Sequence, residues 1–591
     1  MQTDALPIVE HEVDFCVVGG GMAGLCAAVS AARHGATVAL MQDRPVLGGN
    51  ASGECRVHIC GADRHNALPN RRETGILEEL RLKNLHVNPQ RSFSVWDTLT
   101  YELARYQDGI TLLLNCSAVD ADLADGRIET VTGLSLTEQR THRVRARLFA
   151  DCSGDGILAP LTGHPFRMGT EARDEYNEPS APEQANHLTM GMSLLFQTRP
   201  YASPQPFTPP EWAYTFNDCS ELPYGAGAHG FWNMGYWWVE LGGEQHSIHD
   251  TEAIRDELLK IAYGVWDHIK NHCPQHHQNA ANWALEWMQF LPGKRESRRY
   301  IGAHVLTQND VLAEGRFDDL VAYGGWTMDD HPPQGFWGAK RGSDLPSAVH
   351  HKTPSPYGIP YRSLYSETIP NLMFAGRCHS ATHMAMSSTR VMGTGCSMGQ
   401  AIGTAAAMAV DRDVLPAEIG EHIDELQQRL LRDDCYLPWT PQQFGSMTMG
   451  ATIETSNGRC GEAVRDGVNR PVGDDAHRWQ CAPGEWISLT LAEPAKIDDV
   501  TLVLDSALHK DPQMSYHHPA EAHLTTLPAE LPKAFQVHVR ENGRWGLQWE
   551  TRENHSRQIR FRVGRAVEAV RFTLDSTWGA EVTGVHAFYV D

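Results

Sequence analysis

Three glycines near the start of the chain, Gly19, Gly21 and Gly24, stand in the spacing G-x-G-x-x-G. The apolar, β-branched run Val13 to Val18 precedes them, and the Ala-rich stretch LCAAVSAARHG follows and stops at Gly35. A second short strand, TVALM, covers Thr37 to Met41. Strand, glycine turn, helix and strand within about 30 residues make a dinucleotide-binding unit. The first glycine permits the tight turn, the second lets the backbone approach a pyrophosphate, and the third lets helix and strand touch. The diphosphate then meets the N–H groups and positive dipole end of the helix, at Met22 and Ala23. The position that usually carries a ribose-binding acid holds Gln42, with Asp43 beside it; the Gln42 amide or the Asp43 carboxylate is expected to take that contact. A second match to the glycine pattern, GAGAHG from Gly225 to Gly230, has no strand before it and no Ala-rich helix after it. It reads as a loop, so no second nucleotide fold for NAD(P)H is found.

Three further segments specify the dinucleotide. RPVLGGN, Arg44 to Asn50, resembles the second glycine pair of the glutathione-reductase-type FAD fold. FADCSGDG, Phe149 to Gly156, is an apolar strand entering a small-residue turn and resembles the "ATG"-type motif of such flavoproteins. In NLMFAGR, Asn371 to Arg377, a strand leads to Ala375-Gly376, and a helix opens near Gly393 and Gly395. That helix N-terminus is suited to face the flavin pyrimidine and stabilise negative charge on the reduced ring. The resemblance assigns FAD contacts to Gly19, Gly21, Met22, Ala23, Gly24, Gln42, Asp43, Gly48, Gly49, Asn50, Gly154, Asp155, Gly376, Arg377 and Gly395.

The order and wording of LGGNASGECRVHICGAD, RESRRYIGAHVLTQNDVL, AYGGWTMDDHPP, YGIPYRSLY and the segment Leu372 to Ala407 resemble one family. These are FAD-dependent oxidoreductases often described as xanthan-lyase-like, common among bacterial carbohydrate-degrading genes. The family's chemistry is poorly defined, so the resemblance implies cofactor and fold more sharply than substrate. It implies hydride transfer between a carbohydrate, sugar derivative or polyol and flavin N5. Oxidising an alcohol needs a base for the hydroxyl proton, and histidine suits that role. The family-like segments offer His383, with His379 one turn earlier; Arg56 and His58 after the glycine pair; Asp329 and His331; and Arg390, a counter-charge at the helix start. With 30 histidines in the chain, many must be structural. Cys55 and Cys60 have the C-x4-C spacing of a flavin disulfide reductase but are displaced downstream of the glycine pair, and two buried small hydrophobes are the plainer reading. The dense pairs His276-His277, His246 with His249, and His517-His518 with His523 lack Cys or carboxylate partners at zinc-like spacing, so no metal is expected. No Walker A loop is present.

Elements must position these residues. A chain of 591 residues exceeds a single core, and 41% apolar with 21% charged residues is ordinary for a globular protein. A formal net charge of −23 argues against nucleic acid or an anionic membrane surface as partner. No signal-like N-terminus and no membrane span is read, and 13 scattered cysteines suit a reducing, cytoplasmic setting. The expected class is α/β: a Rossmann-type, glutathione-reductase-like FAD domain in two parts, 1–160 and 366–415, around an α+β substrate domain, 161–365. A helical connector, 416–450, with an amphipathic helix from Pro416 to Leu431, leads to an all-β sandwich, 451–591. Its runs EWISLTL, KIDDVTLVLD, AFQVHVRENGRWGLQWE, QIRFRV, AVRFTL and VHAFYV read as strands, and the module resembles discoidin-like, galactose-binding domains, which either bind glycans or only pack. The substrate domain is rich in aromatics (Trp232, Tyr236, Trp237, Trp238, Trp326, Phe336, Trp337) that stack on sugars or pack a core; Trp326 and Trp337 bracket Asp329 to His331. A small carbohydrate, an unidentified electron acceptor and a possible second copy of the chain are the expected partners. Three other readings stay open: a redox-neutral glycan-cleaving flavoenzyme, a thiol–disulfide reductase, and a glycan-binding protein with structural FAD.

Overall fold

The computed structural model describes residues 6–223, 238–338, 348–512, 514 and 523–591. The GAGAHG loop, Trp232, Tyr236, Trp237, His517 and His518 lie outside these residues. The chain divides into two compact units. One comprises Met1–Cys60, Phe93–His422 and Met514–His518; the other Gly61–Ser92, Ile423–Gln513 and Pro519–Asp591.

In the first unit, β1 (Ile8–Val18), β2 (Val38–Met41), β3 (Ile110–Leu113), β6 (Arg140–Asp151) and β7 (Leu372–Phe374) run parallel. The order is β3-β2-β1-β6, with β7 on the last residues of β6. The hairpin of β4 (Cys116–Ala124) and β5 (Arg127–Ser135) adds antiparallel pairing to the first half of β6. β1 starts earlier than its apolar run. The stretch IVEHEV pairs with β6 from Thr141 to Ala146, its side chains only partly covered, and full burial begins at Phe15. Helix α1 (Met22–Arg33) packs on the long helix α4 (Met392–Arg412). A Cβ on Gly399 or Gly403 would run into the carbonyls of Ala23 and Ala27, so the small residues of α4 set how near the helices approach.

Between β6 and β7, a separate apolar core forms around α2 (Thr251–Asp267), which buries Leu258, Ile261, Val265 and Trp266. The ribbon Phe196–Pro200 with Trp283–Met288 packs on it, and Phe336 is a core residue there. A short hairpin pairs Met328–Asp330 with Val349–His351, with Asp329 opposite His350. Helix α3 (His383–Thr389) follows β7 and directly precedes α4.

Among the described residues, the strands of the second unit pair antiparallel. Its strands are β8 (Thr452–Thr455), β9 (Trp479–Cys481), β10 (Trp486–Leu504), β11 (Pro532–Glu541), β12 (Arg544–Thr551), β13 (Gln558–Thr577) and β14 (Thr583–Val590). The order is β9-β14-β10-β13-β11-β12, with β8 on β10. Runs that read as separate strands join: EWISLTL and KIDDVTLVLD are the two halves of β10, with register jumps at Thr490/Ala495 and Ile497/Asp499. These bulges bend the long strands, so the first half of β10 pairs with β8 and the second with β14. Leu489, Leu502, Phe535, Val537, Phe572 and Phe588 fill one core, which also takes Leu82 and Leu85 from the helix Ile76–Val87. The amphipathic pattern from Pro416 is two pieces, a 3-10 stretch Pro416–His422 containing Gly420 and a helix Ile423–Arg432; glycine is a poor helix former. No helix among the described residues is long and apolar enough to cross a membrane.

Candidate active site

Two glycine loops meet at the end of β1. Gly19 has φ +101°, and a Cβ there would run into the backbone of Ser153. Gly48 donates its N–H to Gly20 O at 2.8 Å, and Gly20 donates to Gln42 Oε1 at 2.7 Å. The Gln42 amide nitrogen in turn donates to Val46 O at 3.2 Å. Gln42 is buried and ties the two loops together, whereas the Asp43 carboxylate beside it is exposed. Of the pair, Asp43 is the one open to a ribose. Helix α1 starts at Gly21 with no side-chain cap and no acidic residue in its first turn, which leaves its positive end to an anion. The N-cap of α4, Val391, also lacks a side-chain cap, and Gly393 donates to Cys60 O at 2.9 Å.

At the ends of β6 and β7, Gly154 (φ +78°) and Gly376 (φ +79°) bring the chain into turns. Asp155 sits between Lys294 Nζ at 2.6 Å and Arg377 Nη2 at 3.0 Å. Burial opposes its charge, but Arg377 and Lys294 outweigh burial and hold the carboxyl well below the usual range. Asn50 donates to Lys294 O at 3.2 Å, which links the second glycine loop to this trio. Glycine turns that exclude a Cβ and helix starts with no side-chain cap fit a bound dinucleotide. Gly24 is the tightest of them, since its Cβ would run into Gly19 O. Gly24→Ala is therefore expected to cost about 1–3 kcal/mol by overpacking and to lower flavin retention at least about tenfold. The ratio of flavin to protein absorbance after gel filtration checks this.

A buried charge network lies at the start of α3 and α4. Arg390, just before the N-cap of α4, places Nη2 3.1 Å from Asp329 Oδ2. His331 bridges two carboxylates, with Nε2 3.2 Å from Asp329 Oδ2 and Nδ1 2.9 Å from Glu240 Oε2. Arg295 reaches Glu240 Oε2 at 3.1 Å, and His350, across the hairpin, reaches Asp329 Oδ1 at 3.2 Å. The adjacent residue, Asp330, belongs to a second group. His383 sets Nε2 3.2 Å from Asp330 Oδ1 and Nδ1 2.9 Å from Glu296 Oε2, and its backbone N–H donates to Glu171 Oε2 at 2.8 Å. Arg299 joins Glu296 and Glu171 behind it. The structure thus brings together His383, Asp329, His331 and Arg390. Their partners Glu240, Glu296, Arg295, Glu171 and Asp330 carry no local spacing signal.

These partners fix the proton inventory. Burial alone would lower the pKa of His383, but Glu296 and Asp330 outweigh it and push the value up to about 10. Burial and Arg295 likewise oppose the charge on His331, yet Glu240 and Asp329 leave its pKa raised. Asp329 is held well below the carboxylate range, burial being outweighed by His331 and Arg390. Both ring nitrogens of His383 and of His331 face carboxylate oxygens, an arrangement that favours the protonated imidazole in each. The raised pKa of His383 weighs against the role of base expected for it, since a group that holds its proton is a poor acceptor of another.

The remaining candidates lie apart from this network or in structural roles. Arg56 (φ +55°) stacks over Trp287 at 4.4 Å and donates to Gln197 Oε1 at 2.5 Å, against the ribbon Phe196–Pro200. His379 is buried and pushed down to about 4 by burial; it donates from Nδ1 to Gly376 O and accepts at Nε2 from Thr389, a neutral structural histidine. Cys55 is buried with its thiol pushed up to about 12 by burial, the reverse of what disulfide exchange needs. Trp326 lends its carbonyl to Ser388, and Trp337 stands edge-on to Tyr214 and Phe336.

Comparison with known proteins adds to this geometry. The family model described as "FAD dependent oxidoreductase" matches residues 14–430. No curated protein matches the chain. Among solved structures, a geranylgeranyl bacteriochlorophyll reductase-like protein from Thermoplasma acidophilum is 12% identical, covering 72% of this chain and 86% of its own, with a TM-score of 0.33. The family 32 carbohydrate-binding module of Streptococcus pneumoniae EndoD is 14% identical, covering 24% of this chain and 95% of its own, with a TM-score of 0.19. The family 32 module of C. perfringens NanJ, solved with galactose, is 12% identical over 24% of this chain and 93% of its own, with a TM-score of 0.18.

Proposed function

Because the chain belongs to the FAD-dependent oxidoreductase family, we propose that it transfers a hydride between flavin N5 and a carbohydrate, sugar derivative or polyol held at the Asp329–His331–His383 network. One observation carries this reading: Arg390, the residue directly before the N-cap of α4, binds Asp329, and α4 is the helix whose start the family resemblance sets at the flavin. When bound, FAD supplies the acceptor or donor of the hydride; the chain supplies charge, orientation and a place for the proton. Protonated His383, with His331 beside it between two carboxylates, stabilises negative charge that develops on a substrate oxygen. Asp330 is 31% exposed at its side chain, more open than Asp329, and takes the hydroxyl proton or returns it in the reverse direction. His350, 59% exposed, offers a further hydrogen bond at the rim. A polyhydroxylated substrate suits such a site, because an apolar one would strip water from charged groups without replacing their hydrogen bonds. Trp326, half-buried two residues before the hairpin strand, offers a ring face to a sugar.

The test is the visible spectrum of the purified protein, recorded without oxygen, while sugars, glycosides and polyols are added. Bleaching of the flavin bands by one sugar class is the expected result and names that class. Bands that no member of the panel bleaches would overturn the redox reading. Product formed without an added electron acceptor would instead favour the redox-neutral route.

A further inference from the structure

Cys219 converges with His268 and Cys273, although it lies 49 and 54 residues before them and all three are outside the active-site network. Cys219 Sγ lies 3.6 Å from Cys273 Sγ and 3.4 Å from His268 Nε2, and all three donor atoms lie within 4.8 Å of one another. A tetrahedral zinc ion with Zn–S of about 2.3 Å and Zn–N of about 2.0–2.1 Å has S···S and S···N edges of about 3.8 and 3.6 Å. The observed separations match those edges and are far longer than the ~2.05 Å of a disulfide bond. We propose that these three side chains form a binding site for one thiophilic divalent cation of the zinc class.

Three further features belong to such a site. His268 Nδ1 lies 2.8 Å from the carbonyl of Phe216, which can only accept, so Nδ1 carries the proton and Nε2 presents its lone pair to the thiols. Helix α2 ends in a π-turn, His268–His272, closed by the Cys273 N–H on His268 O. In an α-helix the residue five places on is rotated about 140° away, whereas the wider i→i+5 turn brings Cys273 back to the side of His268. Cys219 comes from a 3-10 turn fixed by a capping box in which Asp218 and Glu221 satisfy the backbone. His268 and Cys273 are buried while Cys219 is half-buried, so the cation's fourth position opens on the Cys219 side. Binding releases the two thiol protons to solvent, and two thiolates with a neutral imidazole balance the dication in a buried place.

The full-length flavoprotein, reduced and freed of metal by a chelator that is then removed, is titrated with Zn2+ and separately with Co2+. One zinc per chain and cobalt bands at wavelengths beyond the flavin absorption are expected. Cys219→Ala, at the half-buried position, should weaken zinc at least about tenfold and abolish the cobalt bands while the flavin spectrum stays unchanged. His268→Gln, read the same way, covers the case in which the first variant fails to fold. Zinc binding that is substoichiometric, or identical in the wild type and the variants, would overturn the proposal. So would a Cys219–Cys273 disulfide that forms in air with zinc at saturation, since the pair would then be a redox couple and not a ligand set.

Discussion

Replacing Arg299 by methionine is expected to destabilise the first unit by about 3–5 kcal/mol, the range for removing one partner of a buried ion pair. Arg299 is 1% exposed and spends its donors on Glu171 at 2.6 Å, on Glu296, on Gly169 O at 2.7 Å and on Ala381 O at 3.0 Å. Methionine keeps most of the volume but leaves the buried Glu171 carboxylate without its cation and Glu296 with His383 alone. Glu171 would suffer directly: its carboxyl is held low because Arg299 outweighs burial. The damage should reach the chemistry as well, since Glu171 also anchors the His383 N–H at the start of α3. Urea unfolding followed by tryptophan fluorescence measures the loss, and flavin release should occur at the same lowered midpoint. Adding Glu171→Gln and Glu296→Gln to Arg299→Met should recover part of the loss, because no buried charge is then left unpaired. A loss below about 1 kcal/mol in Arg299→Met alone would mean that solvent reaches the pair and that the network is not a support.

What could be seen in the sequence and what could not follows from the range of each interaction. The glycine turn at Gly19 to Gly24 was legible because its constraints act within a few residues: a positive φ at Gly19 and a missing Cβ at Gly24 are requirements of one βαβ unit. The segments ending at Gly154 and Gly376 could be paired with it because each is a strand followed by a small-residue turn. Gln42 was the ambiguous position. Its type fitted a ribose contact, but its amide is taken up by Gly20 and Val46, neither of which a fingerprint of single residues reveals. His383, Asp329, His331 and Arg390 could be picked out by type, yet their protonation could not. It depends on Glu240, Glu296 and Asp330, which only the tertiary fold brings within hydrogen-bond distance. The thiols of Cys219 and Cys273 met the same obstacle, and their partner is set by a π-turn that no periodicity announces. In the second unit, alternation gave the strands but not their joining, because a bulge preserves the alternation on both sides of the register jump.

His383→Gln should expose the protonation of His383 as a pH-dependent gap in stability. The pKa of His383 is raised from 6.5 to about 10, with Glu296 and Asp330 outweighing burial. Between these two values the folded protein binds a proton that the unfolded chain has lost, so stability falls as pH rises. The imidazolium's contribution is thus fully present below about pH 6.5 and is lost as pH passes through about 10. Glutamine keeps a donor in the same place but cannot titrate. The stability difference between wild type and variant, from denaturant curves, should therefore be largest at and below about pH 6.5 and shrink by several kcal/mol towards pH 10, at about 1.4 kcal/mol per pKa unit. Taking the difference cancels His331, whose pKa is raised in the same direction and which both proteins share. A gap that stays flat over this range would mean that His383 is already neutral in the folded protein, and the role of base would return to it. A gap that closes leaves Asp330 as the carboxylate that exchanges the substrate proton, with His383 as the fixed charge that keeps it ionised.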